Sequence, residues 1–265
     1  MCLGALLIVP GGAMAQAPIN SNVALQPRTG GWIVRQLFRF SRADFNTPAA
    51  SLDINLATSA TTVVYGVTNR VTLLLTAPAA LSRRIKNNAT GARRTDSGLV
   101  DTTALSKVRL YRNDFGPTST VRFDALLGLE LPTGTNGFSG DSVDPIVGGV
   151  FTYAHDRLAI DADLLWKFDT AGGPAADLFR YDSAIIYRLR PAHYDSPNAT
   201  ALNALFELNG LYQTNGDNEL FLSPGVQYVT TRWIAEATIQ LPIWQELDHR
   251  PKADFILGFS VRMVF

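Results

Sequence analysis

The sequence is short of several things, and each shortage excludes a class of protein. There is one cysteine, Cys2, in 265 residues, and there are three histidines. Cys2 sits in an apolar stretch, Cys2–Pro10, that leads through small residues to Ala13-Met14-Ala15. This is the form of a secretory signal peptide cleaved before Gln16, so residues 1–15 are expected to be removed. The exported part then holds no thiol, which excludes disulfides, thiolate metal sites and cysteine nucleophiles. Charge is scarce and balanced: 17% of residues are charged, and 23 basic side chains cancel 23 acidic ones. A nucleic-acid binder needs a basic excess to displace counterions from phosphates, and none is present. Beyond the first residues no apolar run approaches the ~18 residues of a membrane-spanning helix. Yet 46% of the chain is hydrophobic and 10% aromatic, too much for a disordered chain.

What is present is alternation. Near the C-terminus Phe255, Leu257, Phe259, Val261, Met263 and Phe265 form one face, with Arg262 on the other. Trp233, Ala235, Ala237, Ile239, Leu241 and Ile243 stand against Glu236, Thr238 and Gln240 in the same way, and Leu158–Phe168 and Val121–Leu131 repeat the pattern. Apolar residues two apart over eleven positions spread around a helix but line one face of a strand. Twelve such segments can be marked, at about 31–41, 59–67, 70–80, 101–112, 119–131, 144–154, 157–168, 178–190, 201–213, 219–229, 232–243 and 253–265. Links from odd to even segments are long and rich in Gly, Asn, Asp and Pro. Links from even to odd segments are mostly tight, as at Thr68-Asn69, His155-Asp156 and Thr230-Thr231, with Pro191–Thr200 the exception. The expected fold is an all-β transmembrane antiparallel barrel of about twelve strands in the bacterial outer membrane, with long outer loops and short periplasmic turns.

The rival is a secreted β-sandwich or soluble barrel. A lipid-facing wall must be apolar in every strand, because a mid-bilayer Lys or Arg costs ~2–4 kcal/mol. The one charge found on the apolar faces is Arg112, at a strand end. Strands of about eleven residues also match the length that crosses a bilayer when tilted. The expected organisation is one barrel domain over 16–265, with residues 16–30 as a short periplasmic segment. Tyr65, Tyr153, Tyr187, Tyr228, Trp233 and Phe265 are expected to form the periplasmic aromatic girdle.

Certain residues carry a resemblance. Tyr65-Gly66-Val67-Thr68-Asn69-Arg70 with Thr76-Ala77-Pro78, then Ser97-Gly98-Leu99-Val100-Asp101, Leu131-Pro132-Thr133-Gly134, Asp144-Pro145-Ile146-Val147-Gly148 and Leu222-Ser223-Pro224-Gly225-Val226-Gln227-Tyr228 occur in this order. From about Val63 to Phe265 the chain resembles the outer-membrane family named after the meta-pathway of phenol degradation. The resemblance implies a channel or transporter for aromatic and other small organic compounds, and carries over no functional residues. The terminal Phe265, with apolar residues alternating before it, is similar to the signal read by the barrel assembly machinery.

The candidate site is the inward face: Arg35, Arg39, Arg122, Asp124, Glu130, Asp161, Asp163, Lys167, Arg180, Asp182, Arg188, Glu207, Glu236 and Arg262. Twelve strands ~4.8 Å apart and tilted by ~40° enclose a cylinder roughly 24 Å across. The charges either line a narrow polar pore or close the lumen with Arg–carboxylate pairs. No enzyme, cofactor or metal site is expected. His155, His193 and His249 all read as turn or loop residues, so an embedded hydrolase lacks its Ser–His pair on a strand face. His249 with Glu246 and Asp248, and the run Asn215, Asp217, Asn218, Glu219, read as solvated turns rather than catalytic or calcium sites. The glycines Gly137, Gly140, Gly148 and Gly149 follow no phosphate-binding spacing. Arg83, Arg84, Lys86, Arg93 and Arg94 form a basic outer loop that reads first as a solvated loop, with binding of lipopolysaccharide or steering of anions as the alternatives. The partners expected are outer-membrane lipid and lipopolysaccharide, the assembly machinery and a small organic solute, with no nucleic acid. The function expected is passive uptake of small organic solutes. The alternative is a non-transporting barrel that acts through structure or surface contacts.

Overall fold

The structure is a computed structural model that describes residues 17–47, 50–135, 137–171, 176–194, 196 and 199–265; the signal peptide expected over residues 1–15 lies outside them. The strands are β1 (Trp32–Thr47), β2 (Ala50–Gly66), β3 (Val71–Asn87), β4 (Arg93–Leu99), β5 (Thr102–Gly116), β6 (Ser119–Leu131), β7 (Asp144–His155), β8 (Leu158–Lys167), β9 (Leu178–Arg190), β10 (Ala201–Gln213), β11 (Asn218–Val229), β12 (Trp233–Glu246) and β13 (Lys252–Val264). Neighbours pair antiparallel, and β1 pairs with β13 from Ile33↔Val264 to Asp44↔Lys252, so the sheet closes on itself. Thirteen strands make twelve staves, because β4 and β5 are one descending run broken at Val100-Asp101. β5 pairs with the lower part of β3 (Val71↔Val108 to Thr76↔Thr103) and β4 with the upper part (Ala79↔Leu99 to Lys86↔Arg93). At the break the Val100 amide donates to the Pro78 carbonyl at 3.0 Å, so the ladder survives it. Closure satisfies the backbone hydrogen bonds that lipid cannot.

The side chains are sorted inside out relative to a soluble protein. On β10, Phe206 is 58% exposed while its neighbour Glu207 is wholly buried. On β9, Ile185 is 52% exposed beside Ala184 and Ile186, which are buried. A side chain of that size left in water forgoes ~1.5–3 kcal/mol, repeated over every strand, so the surround must be apolar. The wall is therefore a lipid-facing one, and the chain has the fold of a bacterial outer-membrane barrel.

The tight turns and the start of β1 share one end with the C-terminus, where the Trp32 amide donates to the Phe265 carbonyl. Asp156, in the Asp156-Arg157 turn, takes φ = 50°, a left-handed conformation that Asp tolerates and that two-residue hairpins require. The opposite end departs from expectation in shape. Residues 42–47 and 50–58, expected as part of a loop, continue β1 and β2 outward, with Asp44 opposite Asp53 and Thr47 opposite Ala50. Most of 81–100 is likewise strand, the β3–β4 hairpin. Outside the strands at this end lie the outer connections, described at 132–135, 137–143, 168–171 and 176–177. Residues 17–28 also correct an expectation: they lie inside the barrel and make no periplasmic segment.

Candidate solute passage

The segment Ala17–Arg28 has two prolines and no alternation, so its backbone groups cannot join a ladder and must find partners elsewhere. It finds them on the inward faces of the strands, in the half of the barrel nearer the turns, and the partners are sorted by sign. Carboxylates take its N–H groups. Glu207 accepts from the amides of Ile19 (2.9 Å), Asn20 (3.0 Å) and Ser21 (3.2 Å) and from the Ser21 hydroxyl (2.8 Å). Asp163 accepts from the Asn22 amide at 2.8 Å and from its side chain at 3.0 Å. Asp124 accepts from the Gln26 side chain at 2.8 Å. Cations take its carbonyls. Arg262 donates to Pro18 (2.5 Å), Arg35 to Ile19 (2.6 Å) and Arg180 to Asn20 (3.2 Å), while Lys107 donates to Val23 (2.8 Å) and Leu25 (3.3 Å). Charge-assisted bonds of this kind are worth ~1.5–3 kcal/mol each against a neutral bond's ~1. Two apolar seats complete the docking. Ile19 is buried among Ala154, Ala159, Ile186 and Leu205, and Ala24 among Leu126, Ile146, Val150 and Leu165.

The fourteen charged residues named from the sequence fall into three groups. Arg35, Arg39, Asp124, Asp163, Arg180, Glu207 and Arg262 touch the segment directly, Arg39 through the Asn20 side-chain oxygen at 3.0 Å. Glu236, Asp161 and Asp182 stand one layer behind. Glu236 pairs with Arg262 (2.7 Å) and Arg35 (3.1 Å), Asp161 accepts from Thr152, and Asp182 pairs with Arg180 at 2.6 Å. The remaining four lie toward the ends. Near the turns, Arg122 pairs with Asp114 (3.2 Å), and Arg188 pairs with Asp156 (3.0 Å) and stacks over Tyr194. Toward the outer end, Lys167 pairs with Glu130 at 2.5 Å and reaches Asp144 at 3.9 Å.

Sequence reasoning missed Lys107, Thr152 and Gln227. Thr152 accepts the Ala24 amide at 2.9 Å, and Gln227 donates to the Ala17 carbonyl at 3.0 Å. Their signal was parity, since each continues the inward set of its strand.

The segment does not fill the lumen. Between it and the wall of β1, β2, β3 and β5 lies a cavity of about 370 Å³. At the outer end Asp101 straps down the connection that follows β6 by accepting the Gly134 (2.8 Å) and Gly140 (2.6 Å) amides. Phe138 of that connection lies under the Arg83 guanidinium, 4.2 Å from ring centroid to Cζ.

The six girdle residues all sit at the turn end. Tyr65 packs on Trp32 (4.2 Å between centroids), Tyr228 on Trp233 (5.6 Å) and Tyr153 on Phe115 (6.4 Å). Tyr187 lies under Arg157, and Phe265 is 64% exposed beside Trp32. Trp166, Phe179, Tyr181 and Trp244 form a second aromatic group toward the outer end. From Trp233 to Trp244 a strand tilted by ~40° rises roughly 28 Å, the height of a bilayer's apolar band.

The basic outer residues lie on the β3–β4 hairpin. Arg83 and Arg94 pair with Asp96 at 3.5 and 2.8 Å, and Lys86 reaches Asp53 at 3.9 Å. Arg84 and Arg93 are exposed in a shallow recess with Lys86 and Thr95.

The histidines need one correction: His155 is the last residue of β7, not a turn residue, and its Nδ1 lies 3.1 Å from Ser119 Oγ. The pair sits at the turn end, its ring stacked on Phe115, and among the described residues no carboxylate orients the imidazole. His249 faces Asp217, which accepts from the Asp248 (2.8 Å) and His249 (3.2 Å) amides and so ties the loop 247–251 to the β10–β11 turn. Burial pushes the Asp217 carboxyl up, but those amides and the imidazole outweigh it and hold it below the usual carboxylate range. Gly216 in that turn has φ = 103°, open to glycine and strained for other residues.

No family model and no curated protein matches the sequence. The fold, however, is similar to solved structures. The COG4313 outer membrane channel from Pseudomonas putida F1 superposes with a TM-score of 0.62 at 16% identity, covering 94% of this chain and 100% of that one. The KdgM porin in complex with disordered oligogalacturonate superposes with a TM-score of 0.52 at 10% identity, covering 89% and 99%. The β-domain of the Bordetella autotransporter BrkA follows at 0.50 and 11%, covering 89% and 100%. The chain is thus an outer-membrane β-barrel, similar in fold to structures of channels and porins.

Proposed function

We propose that this protein is an outer-membrane channel for passive uptake of small organic solutes, with the route running beside the inner segment. The cavity of about 370 Å³ between Ala17–Arg28 and the β1–β3 wall carries this reading, because a barrel built only as a scaffold has no need to leave it. The likeness in fold to channels and porins supports the channel role. The resemblance to the phenol meta-pathway family supports aromatic compounds among the solutes, and the aliphatic wall of the cavity is suited to them. On this reading Arg84, Lys86 and Arg93 meet lipopolysaccharide phosphates outside, and Phe265 is presented to the assembly machinery during insertion. The test is reconstitution in planar bilayers. Discrete conductance steps are expected, together with aromatic solute entry into loaded liposomes. A barrel correctly folded by its gel mobility but silent in both assays refutes the channel and favours the non-transporting alternative, to which the segment's many lumen bonds would then belong.

A further inference from the structure

The two sides of the lumen differ in charge. Three of the inward carboxylates, Glu207, Asp163 and Asp124, are turned to the inner segment and accept its donors, while Asp161, Asp182 and Glu236 bond side chains of the strands. Among the described residues lining the open cavity, the charged ones are Arg35, Arg39, Lys107, Arg180 and Arg262, with no carboxylate among them. Three of these are paired: Arg35 and Arg262 share Glu236, and Arg180 holds Asp182. Arg39 and Lys107 are different. Arg39 bonds a side-chain amide oxygen and Lys107 two backbone carbonyls, and neither has an ion pair among the described residues.

The wall that carries these two side chains is otherwise mostly aliphatic. Ile33 and Leu37 of β1, Val64 of β2, Leu74 and Pro78 of β3 and Leu105 of β5 turn inward there, where the other strands present carboxylates and amides. A solute in this cavity meets two cations without a direct ion pair, set among the hydrocarbon side chains of their own strands. Inside a low-dielectric wall a net positive lining attracts anions and excludes cations. The apolar surface around them favours a solute with a hydrocarbon body.

Resting on the channel reading above, we propose that the passage selects organic anions with an apolar body, such as aromatic or short aliphatic monocarboxylates, and that Arg39 and Lys107 determine this selectivity. The carboxylate passes from one cation to the other while the body slides along the β1–β3 wall.

The experiment is the reversal potential of single channels in a KCl gradient, followed by liposome uptake of benzoate, benzyl alcohol and benzylammonium. The unmodified protein is expected to pass chloride over potassium several-fold, and benzoate faster than the other two probes. Arg39→Glu, with folding checked by heat-modifiable gel mobility, is expected to lower the chloride preference to parity or below. Conductance that is indifferent or cation-selective in the unmodified protein overturns the proposal and leaves the channel intact. So does equal entry of all three probes, or an Arg39→Glu channel with unchanged selectivity. Absence of any conductance overturns the channel itself, and with it this inference.

Discussion

Excising Ala17–Gln26, so that Gln16 is joined to Pro27, tests whether the inner segment limits the bore. The barrel's backbone cylinder is roughly 24 Å across, and a side-chain layer of ~5 Å on each wall leaves a bore of ~14 Å, or ~150 Å². The segment reaches from Gln227 and Arg262 on one side to Asp124 and Lys107 on the other, so it crosses the bore side-on. A chain ~5 Å wide at the backbone and up to ~10 Å with side chains covers half of that area or more. Conductance scales with open area, so the excised protein should conduct at least about twice as well as the full chain. The ladder from β1 through β13 contains none of the deleted residues, so closure should survive. The released carboxylates Glu207, Asp163 and Asp124 would be rehydrated by entering water. The assay is single-channel conductance in planar bilayers, with unboiled gel mobility as the check on closure. A closed barrel whose conductance equals that of the full chain would refute the argument, and would mean that the restriction lies in the outer connection 132–143.

Three further outcomes are expected. Ile185→Arg places a cation on the lipid face at mid-height of β9, where such a change costs ~2–4 kcal/mol; denaturant unfolding in lipid should show the loss, and an unchanged midpoint would contradict the assignment of that face. Asp101→Ala removes two charge-assisted bonds to Gly134 and Gly140, so the connection 132–143 should become protease-sensitive and channel noise should rise, while barrel stability changes little. Because the Asp217 carboxyl is held below its unfolded value, its contribution is fully present above pH ~4 and is lost as pH falls through the lowered folded value. Nicking of the loop 247–251 should therefore be slow at neutral pH, accelerate only in stronger acid, and be fast at all pH values in Asp217→Asn.

How far the sequence could be read depended on what lay beyond each strand's outer face. Where that face meets lipid, residues such as Phe206, Ile185 and Leu164 must be apolar, and period two was visible in the staves, least clearly in β5. Above the bilayer both faces are wet. The strand geometry of β1–β2 and β3–β4 continues, but Asp53-Ile54-Asn55 and Arg83–Lys86 carry no hydrophobic alternation, so these stretches read as loops. A bulge between Ala80 and Arg83 also shifts the parity there. On β5 the register shift between Arg109 and Tyr111 mixed the two faces and hid Lys107 among its neighbours.

The inner segment was illegible for a different reason. Pro18, Asn20, Ser21, Asn22 and Pro27 are the composition of any linker, and nothing local distinguishes a linker in water from one inside a barrel. Most of its partners lie far along the chain, 98 residues away at Asp124, 210 at Gln227 and 244 at Arg262. The same partners explain why charges of both signs face inward on neighbouring strands. A lumen that only stabilised itself would pair Arg with carboxylate across the strands. Here much of each sign bonds instead to a strip of backbone that supplies N–H groups to one and carbonyls to the other. The mixed inward charge is therefore the imprint of a peptide, and the two cations it holds without a carboxylate, Arg39 and Lys107, are the ones that on the proposed reading also meet a solute.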